Sequence, residues 1–547
     1  MNKTNDPILR DCVFLAVLTM LSSAFYVFRI GFYWDDWRLF QLLHFSTDQS
    51  LSGLMRSLFA GWPDLRVRPV QALQLAVLYQ LFGMKPVGHH LVNTAILFLG
   101  VSVFYFALLA LTGRRLMSLA IAAIYLVLPH YSTARFWYAN FCANLSMVFY
   151  FLSLYWDVKS LSFKGSKMWQ WKGAASLSLV TSSLSYEVFM PLFLLNPVLI
   201  AFKRWQLRAS GKGVRWTWMV SGLFYLANPL LLGLLGIIKA RNNRRAPGVN
   251  SVGWWLVDTA FSGSADLTWG AYLLNLPHIL WTILTKYWNW PAFLIALVLG
   301  VVIATYLIHV AKTSEERLPQ FVVLALTLCG ATLVSGLSYA YFYPYFGVNT
   351  GVNNRVTIAA AACVAISWAS LAGLLSHTFL RRAISNHVFC ILVALLCASG
   401  CLIINTVSSF WIVAAQKRAQ ILTDMKGNFQ PPRGSSVLLN GLCAWEGPGI
   451  VFEADWDVTG ALALLYEDNT IKGDVLWPWM KAQEQGIDSG KNVYSFASLY
   501  SYDVRTKQAA QISDAKTAAF QIEKTKEDDV KSHGCLTSGF GTGLAIW

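Results

Sequence analysis

Charged residues are scarce in this 547-residue sequence, in which 13% are charged, 56% are hydrophobic and the mean hydropathy is +0.47. Soluble globular chains average about 25% charged and about 45–50% apolar residues. A soluble protein is therefore excluded, and the composition predicts an integral membrane protein. The sequence also lacks a basic repeat or a nucleic-acid-binding motif, so its net charge of +15 does not indicate a nucleic-acid partner.

The few charges are divided unevenly along the chain. Residues 1–412 contain 30 Lys and Arg against 12 Asp and Glu, a net charge of +18, whereas residues 413–547 contain 13 against 16, a net charge of −3. The first part holds the long apolar runs, and Pro431 and Pro432 interrupt the second. We expect a transmembrane domain over residues 1–412 and a small extracytoplasmic mixed α/β domain over residues 413–547. Three runs typical of strands support this domain: residues 435–439, 450–452 and 493–497.

Apolar runs of about 20 residues predict the transmembrane helices. Residues 173–202 are long for one helix and short for two, and Pro191 and Pro197 favour two short helices. The first run is too long for a cleaved signal peptide, and no small-residue cleavage site follows it. The fold expected is a mostly α polytopic membrane protein with about eleven spans. The runs are residues 12–32, 88–112, 116–131, 137–156, 173–202, 216–238, 291–311, 319–340, 356–376 and 388–412.

Basic residues next to these runs predict the orientation. With the N-terminus in the cytoplasm, five basic groups fall in short cytoplasmic connections, as the positive-inside rule requires. They are Arg114-Arg115, residues 159–172, residues 203–215, Lys312 with Arg317, and Arg381-Arg382. An odd number of spans then places the C-terminal domain outside, in the periplasm or its equivalent, which fits a bacterial inner membrane. In such an oxidising compartment Cys443 and Cys535 either form a disulfide or stay free.

Two long outer loops are expected. The first, residues 33–87, contains an amphipathic run from Pro69 to Phe82 that predicts a helix lying along the interface. The second, residues 239–290, carries many tryptophans, which are typical of an interfacial belt. It also carries four cations that depart from the positive-inside trend: Lys239, Arg241, Arg244 and Arg245. A basic patch at an outer membrane surface is suited to binding lipid phosphates.

Three carboxylates near this outer surface are candidates for chemistry. Asp35 and Asp36 follow the first span, where adjacent carboxylates are costly unless water, a cation or a substrate compensates them. Alternatively, they cap the helix that follows. Glu187 precedes Pro191, which cannot donate a backbone hydrogen bond to the carbonyl of residue 187, so the helix should open at this carboxylate. Glu187 either serves a functional site or pairs with an arginine for packing.

Further polar side chains fall on the same side. Each histidine either serves a functional site or forms an interfacial hydrogen bond. Asn140 and Asn144 lie four residues apart on one helical face, so they either serve the site or join helices. The set consists of Arg66, Arg68, His89, His90, Asn93, Arg135, Asn140, Asn144 and Arg355.

The order of these motifs resembles the GT-C superfamily of integral-membrane glycosyltransferases. The resemblance rests on an outer Asp-Asp after the first span, Arg68-Pro69 entering a loop helix, a His89-His90-x-x-Asn opening the next span, a Pro-His segment leading into an aromatic-Asn helix, and Ser-Tyr-Glu187 before a proline. The layout is most similar to the protein O-mannosyltransferase-like and tetratricopeptide-bearing transmembrane mannosyltransferase branches and their bacterial relatives. Two departures are Tyr186, where the latter branch implies a lysine, and the tail, which has no 34-residue repeat.

The resemblance implies an inverting transfer of a sugar from a polyprenyl-phosphate donor to an acceptor hydroxyl on a surface glycan, a lipopolysaccharide or a protein. Asp35 or Asp36 is the expected general base, and Glu187 holds the acceptor or orients an arginine. Expected phosphate ligands are Arg68, Arg241, Arg244, Arg245 and Arg355, and expected substrate contacts are His89, His90, Arg135 and Asn140. A divalent metal at the carboxylates and histidines is possible, but this branch implies a site with no metal or other cofactor.

Two other classes of function remain open at this level. A transporter or flippase for a lipid-linked or anionic substrate would carry inverted repeats and midplane charges, neither of which is apparent. A non-catalytic receptor or assembly subunit would use its tail. In that tail, the segment Phe452-Glu-Ala-Asp-Trp-Asp457 either contacts a glycan or, as we expect, forms a solvated loop.

Overall fold

The structure is a computed structural model, and it describes residues 7–211, 218–242, 260–314, 316–339, 351–377 and 382–531. Apolar helices dominate the chain up to residue 428. The first ten are α1 Pro7–Ser23, α2 Asp35–His44, α3 Leu51–Gly61, α4 Pro69–Phe82, α5 Pro86–Thr112, α6 Arg115–Leu126, α7 Thr133–Phe136, α8 Phe141–Ser160, α9 Gly165–Ser185 and α10 Leu195–Ala209. Then follow α11 Trp218–Asn242, a π-helix at Asp266–Leu274, α12 Leu276–Lys286, α13 Trp290–Thr313, α14 Phe321–Tyr339, α15 Ile358–Ser376 and α16 Arg382–Asn428. Short 3₁₀ helices lie at Pro63–Val67, Pro129–Tyr131, Tyr138–Asn140, Glu187–Leu194 and Val352–Val356.

Eight helices of the described chain are long and apolar enough to cross a membrane, which makes the protein an integral membrane protein. They are fewer than the eleven spans expected. The run 12–32 stops being helical after Ser23, α6 has only 12 residues, and α9 is rich in serine. The eight are residues 86–112, 138–160, 187–209, 220–239, 290–313, 321–339, 358–376 and 384–428.

The chain breaks its helix at Glu187, as the proline-based argument predicts. Helix α9 ends at Ser185, Tyr186 is extended, and a 3₁₀ helix containing Pro191 begins at Glu187. The segment 173–202 therefore contains the end of α9, the 3₁₀ helix and the start of α10. The helix predicted from Pro69 to Phe82 is α4 with the same bounds, and its position along the membrane interface stays a prediction.

Two of the five basic groups expected at one membrane face, Arg114-Arg115 and Lys312 with Arg317, lie together. Arg115 donates two hydrogen bonds to Asp11 in α1, and Arg114 donates to the carbonyl of Arg317. The Glu316 carboxylate accepts the backbone N–H of Arg115 at 2.9 Å, which places an anion at the N-terminus of α6. We call this end of the molecule the N-terminal face. That it is the cytoplasmic face stays a prediction.

The C-terminal domain is mixed α/β, as expected, and it lies at the opposite end of α16. Its main sheet has the order β4-β1-β8-β9, in which β1 runs parallel to β4 and β8, and β9 is antiparallel to β8. The strands are β1 Ser436–Asn440, β2 Trp445–Glu446, β3 Gly449–Ile450, β4 Lys472–Val475, β5 Lys481–Ala482, β6 Gly486–Asp488, β7 Val493–Ser495, β8 Leu499–Asp503 and β9 Gln508–Gln511. The helices are α17 Asp455–Tyr466 and α18 Ala515–Lys531.

The tail domain packs directly on the membrane body. Helix α17 approaches α2 so closely that a Cβ at Gly460 would lie 2.5 Å from the carbonyl carbon of Trp37. Gln41 of α2 also donates a hydrogen bond to Asn469 at 2.8 Å. The expected domain boundary after residue 412 falls inside α16, which continues to Asn428 and carries the chain into the tail. We call this end of the molecule the tail face.

Cys443 in the tail is disulfide-bonded. Cys535, the partner that the sequence offers in this domain, lies outside the described residues.

Candidate functional site

The two adjacent aspartates open α2 at the tail face, but their surroundings differ. Asp36 is fully buried, and its two carboxylate oxygens accept the backbone N–H groups of Tyr33 and Ala139, each at 2.8 Å. These bonds fix the turn before α2 and tie α2 to the 3₁₀ helix at Tyr138–Asn140. Trp34 in this turn has a φ of 50°, a conformation that residues with side chains rarely adopt. The Asp36 carboxylate therefore stabilises the local fold.

Burial raises the pKa of Asp36 to about 8, and the charge of Asp35 adds to the rise. The two backbone donors and the charge of Arg418 oppose it. Arg418 of α16 lies over the rings of Tyr33 and Trp37, with its guanidinium carbon 4.8 Å and 5.2 Å from the ring centroids.

Asp35 is only half-buried, and its partner comes from the tail domain. The indole Nε1–H of Trp456, in the first turn of α17, donates to Asp35 Oδ1 at 2.9 Å. A residue 421 positions away in the chain therefore positions this carboxylate. Of the two aspartates, Asp35 is the one that remains within reach of a reactant.

The segment Phe452–Asp457 is not the solvated loop that the sequence suggests. Phe452 and Asp457 are fully buried and Glu453 is 9% exposed, because the segment turns into α17 beneath α2. Asp457 accepts the backbone N–H groups of Glu453 and Ala454 at 3.0 and 3.1 Å. A carboxylate at a helix N-terminus is favourable, so this acid stabilises the turn.

Glu453 is the unusual acid of this segment. Its Oε2 atom is buried and has no hydrogen-bond partner among the residues that the structure describes. Burial raises the pKa of Glu453 to about 7, the negative charge of Asp35 raises it further, and Lys491 opposes both. The Lys491 Nζ lies 4.9 Å from the ring centroid of Trp456. We call Asp35, Glu453 and Trp456 the acidic pole of the site.

A second charged group lies on the same face. The Arg68 guanidinium forms a two-pronged ion pair with Glu187, including Nε to Oε2 at 2.9 Å. Lys239 reaches the same Oε2 at 3.3 Å. Arg68 also lies 4.6 Å from the ring centroid of Tyr186. Glu187 therefore pairs with two cations, as one of the sequence alternatives predicts. We call Arg68, Lys239, Glu187 and Arg355 the cationic pole.

Aromatic rings connect the two poles. The Arg355 guanidinium carbon lies 5.4 Å from the Trp137 ring centroid, and its charge acts on Tyr186, the ring that contacts Arg68. Trp137 and Trp34 are 5.3 Å apart, and Trp34 and Trp456 are 5.9 Å apart between ring centroids. The structure thus brings Asp35, Asp36, Glu187, Arg68 and Arg355 to one region of the tail face.

The two histidines lie in the packed interior. His89 Nε2 is 2.9 Å from the carbonyl oxygen of Gly83, with its ring against Tyr138, and His90 Nε2 is 3.2 Å from that of Gly31. These contacts give both residues packing roles in the described structure. Their contact with a substrate stays a prediction.

Arg135 and Asn140 are also buried. Arg135 donates to the Leu126 carbonyl and, at 3.4 Å, to the hydroxyl of Tyr26. Asn140 Nδ2 has no hydrogen-bond partner within the described part of the chain. Asn144 does join helices, because it donates to Asn93 of α5 at 2.9 Å.

Three of the expected phosphate ligands are not tested by this arrangement. The side chain of Arg241, at the end of α11, and all of Arg244 and Arg245 lie outside the described residues. Within the described ranges, no three His, Cys, Asp or Glu side chains are grouped to hold a metal ion. The expectation of a site that needs no metal stays a prediction.

Sequence reasoning missed most of what the tail contributes. Trp456 and Glu453 belong to a segment that we expected to be solvated, and Arg418 was not singled out. Lys239 was included only in a general basic cluster. A local signal existed for Lys239, because it ends an apolar run at the outer side, but no local pattern pairs Trp456 with Asp35.

No family model matches the chain, and no curated protein sequence matches it. Among solved structures, the chain is similar to the crystal structure of ArnT from Cupriavidus metallidurans bound to undecaprenyl phosphate. The two share 14% sequence identity with a TM-score of 0.33, and the similarity covers 84% of each chain. A similarity at this TM-score establishes neither a common fold nor a common activity.

Proposed function

We propose that this protein is an integral-membrane glycosyltransferase that moves a sugar from a polyprenyl-phosphate donor to an acceptor hydroxyl at the tail face. One observation carries the proposal: a cationic pole and an acidic pole lie on the same face, joined by aromatic side chains. Such a pairing suits a reaction in which one end of the site takes a phosphate and the other removes a proton. The GT-C resemblance of the motifs agrees with it.

The cationic pole is suited to the phosphate. Two cations, Arg68 and Lys239, bind the single carboxylate of Glu187, so this ion-pair cluster keeps an excess of positive charge. A guanidinium fork matches phosphate oxygens, and preorganised cations stabilise the charge that grows on a leaving phosphate. Lys239 ends a membrane-spanning helix, the level at which the head of a lipid donor lies. Glu187 holds the Arg68 and Lys239 side chains beside it.

The acidic pole supplies the base. In the proposed step the acceptor oxygen attacks the anomeric carbon of the donor sugar, and the bond from that carbon to the phosphate oxygen breaks. The acceptor hydroxyl proton passes to Asp35, and polyprenyl phosphate leaves with its negative charge next to the cationic pole. Asp35 is preferred to Asp36 because both oxygens of Asp36 are occupied by backbone donors.

The location of the site determines the type of donor. Nucleotide sugars are cytoplasmic, so a transferase whose site faces outward needs a donor that is itself anchored in the membrane. The basic N-terminal face fits the cytoplasmic side. We therefore place the protein in a bacterial inner membrane with its tail in the periplasm or outside the cell, and with a glycan, lipopolysaccharide or protein as acceptor.

The purified protein in lipid vesicles, supplied with a panel of polyprenyl-phosphate sugars, tests the proposal. We expect release of polyprenyl phosphate together with a glycosylated product. Arg68→Ala should lower this transfer about 10- to 100-fold, since a hydrogen bond to a charged group contributes about 1.5–3 kcal/mol. Arg66→Ala is the matched control, because Arg66 is an exposed arginine of the same loop. No transfer with any polyprenyl-phosphate sugar, or equal losses in both variants, would contradict the proposal.

A further inference from the structure

The tail domain adds to the site one buried polar atom that no described residue satisfies. Glu453 is nine-tenths buried, yet its Oε2 has no hydrogen-bond partner among the described residues. A buried polar atom without a partner costs about 1–3 kcal/mol, and Glu453 is the only carboxylate with such an atom among the described residues. Asp457, four residues later, shows the usual arrangement, with both carboxylate oxygens bonded.

Two buried donors without a partner in the described structure lie in the cluster of rings that reaches Trp456. The indole nitrogens of Trp34 and Trp137 are buried and have no hydrogen-bond acceptor within the described ranges. The ring of Trp34 contacts that of Trp456, whose own N–H is bonded to Asp35. The tail face therefore presents both open donors and an open acceptor beside the proposed base. Hydroxyl groups can donate and accept, and a sugar carries several of them on a ring with apolar faces.

Charge narrows the class of ligand further. Asp35 and Glu453 repel each other, Asp455 and Asp457 belong to the same segment as Glu453, and the charge of Lys491 offsets part of this repulsion. An anionic group would add to this repulsion, whereas a neutral hydroxyl would relieve the unpartnered oxygen. The region therefore favours the neutral, hydroxyl-bearing end of a molecule, opposite to the phosphate expected at the cationic pole.

We propose that Glu453 and Trp456 of the tail domain form, with Trp34, a subsite for a neutral sugar ring of the acceptor, next to Asp35. The proposal rests on the transferase function proposed above and gives the acceptor a chemical class: a glycan rather than an unmodified protein. Glu453 accepts a hydrogen bond from a sugar hydroxyl, and the Trp34 indole donates one. The indoles of Trp34 and Trp456 form the apolar wall against the ring.

This arrangement makes the tail a part of the site. Trp456 reaches Asp35 only because α17 lies against α2, at the close approach that Gly460 permits. A tail that served only as an external module would not need this contact. The membrane body then binds the donor, and the tail binds the acceptor.

Saturation-transfer NMR on the full-length protein in nanodiscs tests the subsite, with methyl α-mannoside as a neutral probe. Methyl glucuronide and a serine-containing peptide serve as anionic and protein-like probes. At pH 8 we expect the mannoside to bind, the other two probes to bind weakly or not at all, and Glu453→Gln to weaken mannoside binding about five-fold. Trp456→Phe should weaken it as well. Glu484→Gln and Trp479→Phe are the matched controls, since both residues are exposed in the same domain.

A parallel measurement of polyprenyl phosphate binding separates this proposal from the transferase function. If Glu453→Gln and Trp456→Phe lower mannoside binding and leave polyprenyl phosphate binding unchanged, the subsite is supported. If mannoside binding is absent or indifferent to both variants while Arg68→Ala weakens polyprenyl phosphate binding, the subsite is wrong and the donor site stands. Tight binding of the peptide alone would likewise overturn the glycan assignment. If polyprenyl phosphate binding is unchanged in every variant, including Arg68→Ala, the proposed transferase function is contradicted.

Discussion

Buried carboxylates at the two ends of the molecule differ in how fully they are bonded. At the N-terminal face, Asp11 is fully buried and accepts four hydrogen bonds, two from Arg115 and one each from the hydroxyls of Tyr105 and Tyr306. At the tail face, Glu453 is almost as buried and has an oxygen without a partner in the described structure. A saturated carboxylate is suited to structure, whereas an open one is suited to binding.

The same contrast separates two neighbours in the chain. Asp36 resembles Asp11, because backbone donors occupy both of its oxygens, whereas half-buried Asp35 accepts a hydrogen bond from an indole of the tail domain. A third saturated group lies between the helices: Lys172 bonds Asp157 and Asn228, each at 2.9 Å. Residue type alone therefore does not identify the chemical site; the state of its hydrogen bonds does.

Replacing Asp35 should give the largest effect. Asp35→Asn should lower sugar transfer by about 10²–10⁴-fold, the range for loss of a general base. Its thermal unfolding in detergent should stay close to that of the wild type. Asp36→Asn should lower the unfolding temperature, because an amide nitrogen would face a backbone N–H donor. Steady-state transfer and unfolding, measured for both variants, check this contrast.

Asp64→Asn is the matched control for Asp35→Asn, since Asp64 is exposed on the same side of the molecule. It should alter neither transfer nor unfolding. Unchanged transfer by Asp35→Asn, together with lost transfer by a well-folded Asp36→Asn, would reverse the assignment of the base.

The reverse pattern is expected at the N-terminal face. Asp11→Asn removes the charge that pairs with Arg115 and should cost about 3–5 kcal/mol of stability, as loss of one partner from a buried ion pair does. Transfer per folded molecule should not change, since the tail face lies at the other end of the membrane helices. Denaturant unfolding in detergent and active-site titration measure the two quantities. A stable Asp11→Asn variant with reduced transfer would show that the two faces are coupled.

Local sequence patterns predicted the parts of the site that are close in the chain. The helix from Pro69 to Phe82 followed from its apolar pattern and its proline start, and the break at Glu187 followed from Pro191. An arginine partner for Glu187 was one of two alternatives, and the structure identifies it as Arg68. In each case the physical cause lies within a few residues of its effect.

Contacts between distant segments could not be predicted in this way. The hydrogen bond from Trp456 to Asp35 depends on how α17 packs against α2. That packing is set by the close approach at Gly460, which leaves no periodic pattern in the sequence. The different roles of Asp35 and Asp36 depend on the position of Ala139. The span expected over residues 12–32 is helical only as far as Ser23, because composition does not reveal where helical geometry ends.

Lys239 offers a smaller effect at the cationic pole. Lys239→Gln removes one of the two cations bonded to Glu187 and should raise the donor KM about ten-fold, the loss expected for one hydrogen bond to a charged group. The acceptor KM should not change. Lys286→Gln, at an exposed lysine of α12, is the control. An equal change in both KM values would indicate that Lys239 supports the fold of the site rather than the donor phosphate.

The smallest expected effect is a pH dependence that comes from Glu453. Its pKa is about 7 because burial and Asp35 raise it, while Lys491 lowers it and Asp457 lies four residues away. The carboxyl is therefore mostly protonated at pH 6 and mostly ionised at pH 8. An ionised oxygen accepts a stronger hydrogen bond from a sugar hydroxyl, so the KM for a neutral glycan acceptor should fall about five-fold between these values, a change of about 1 kcal/mol.

The Glu453→Gln variant distinguishes the titration of Glu453 from that of other groups in the same pH range, such as Asp36. The variant cannot ionise, so its acceptor KM should stay at the value that the wild type has at pH 6. An anionic acceptor should respond in the opposite direction, because the new charge on Glu453 repels it, and its KM should rise with pH in the wild type only. Parallel pH profiles for the wild type and Glu453→Gln would mean that Glu453 does not contact the acceptor, and its unpartnered oxygen would then be a feature of packing at the docked tail.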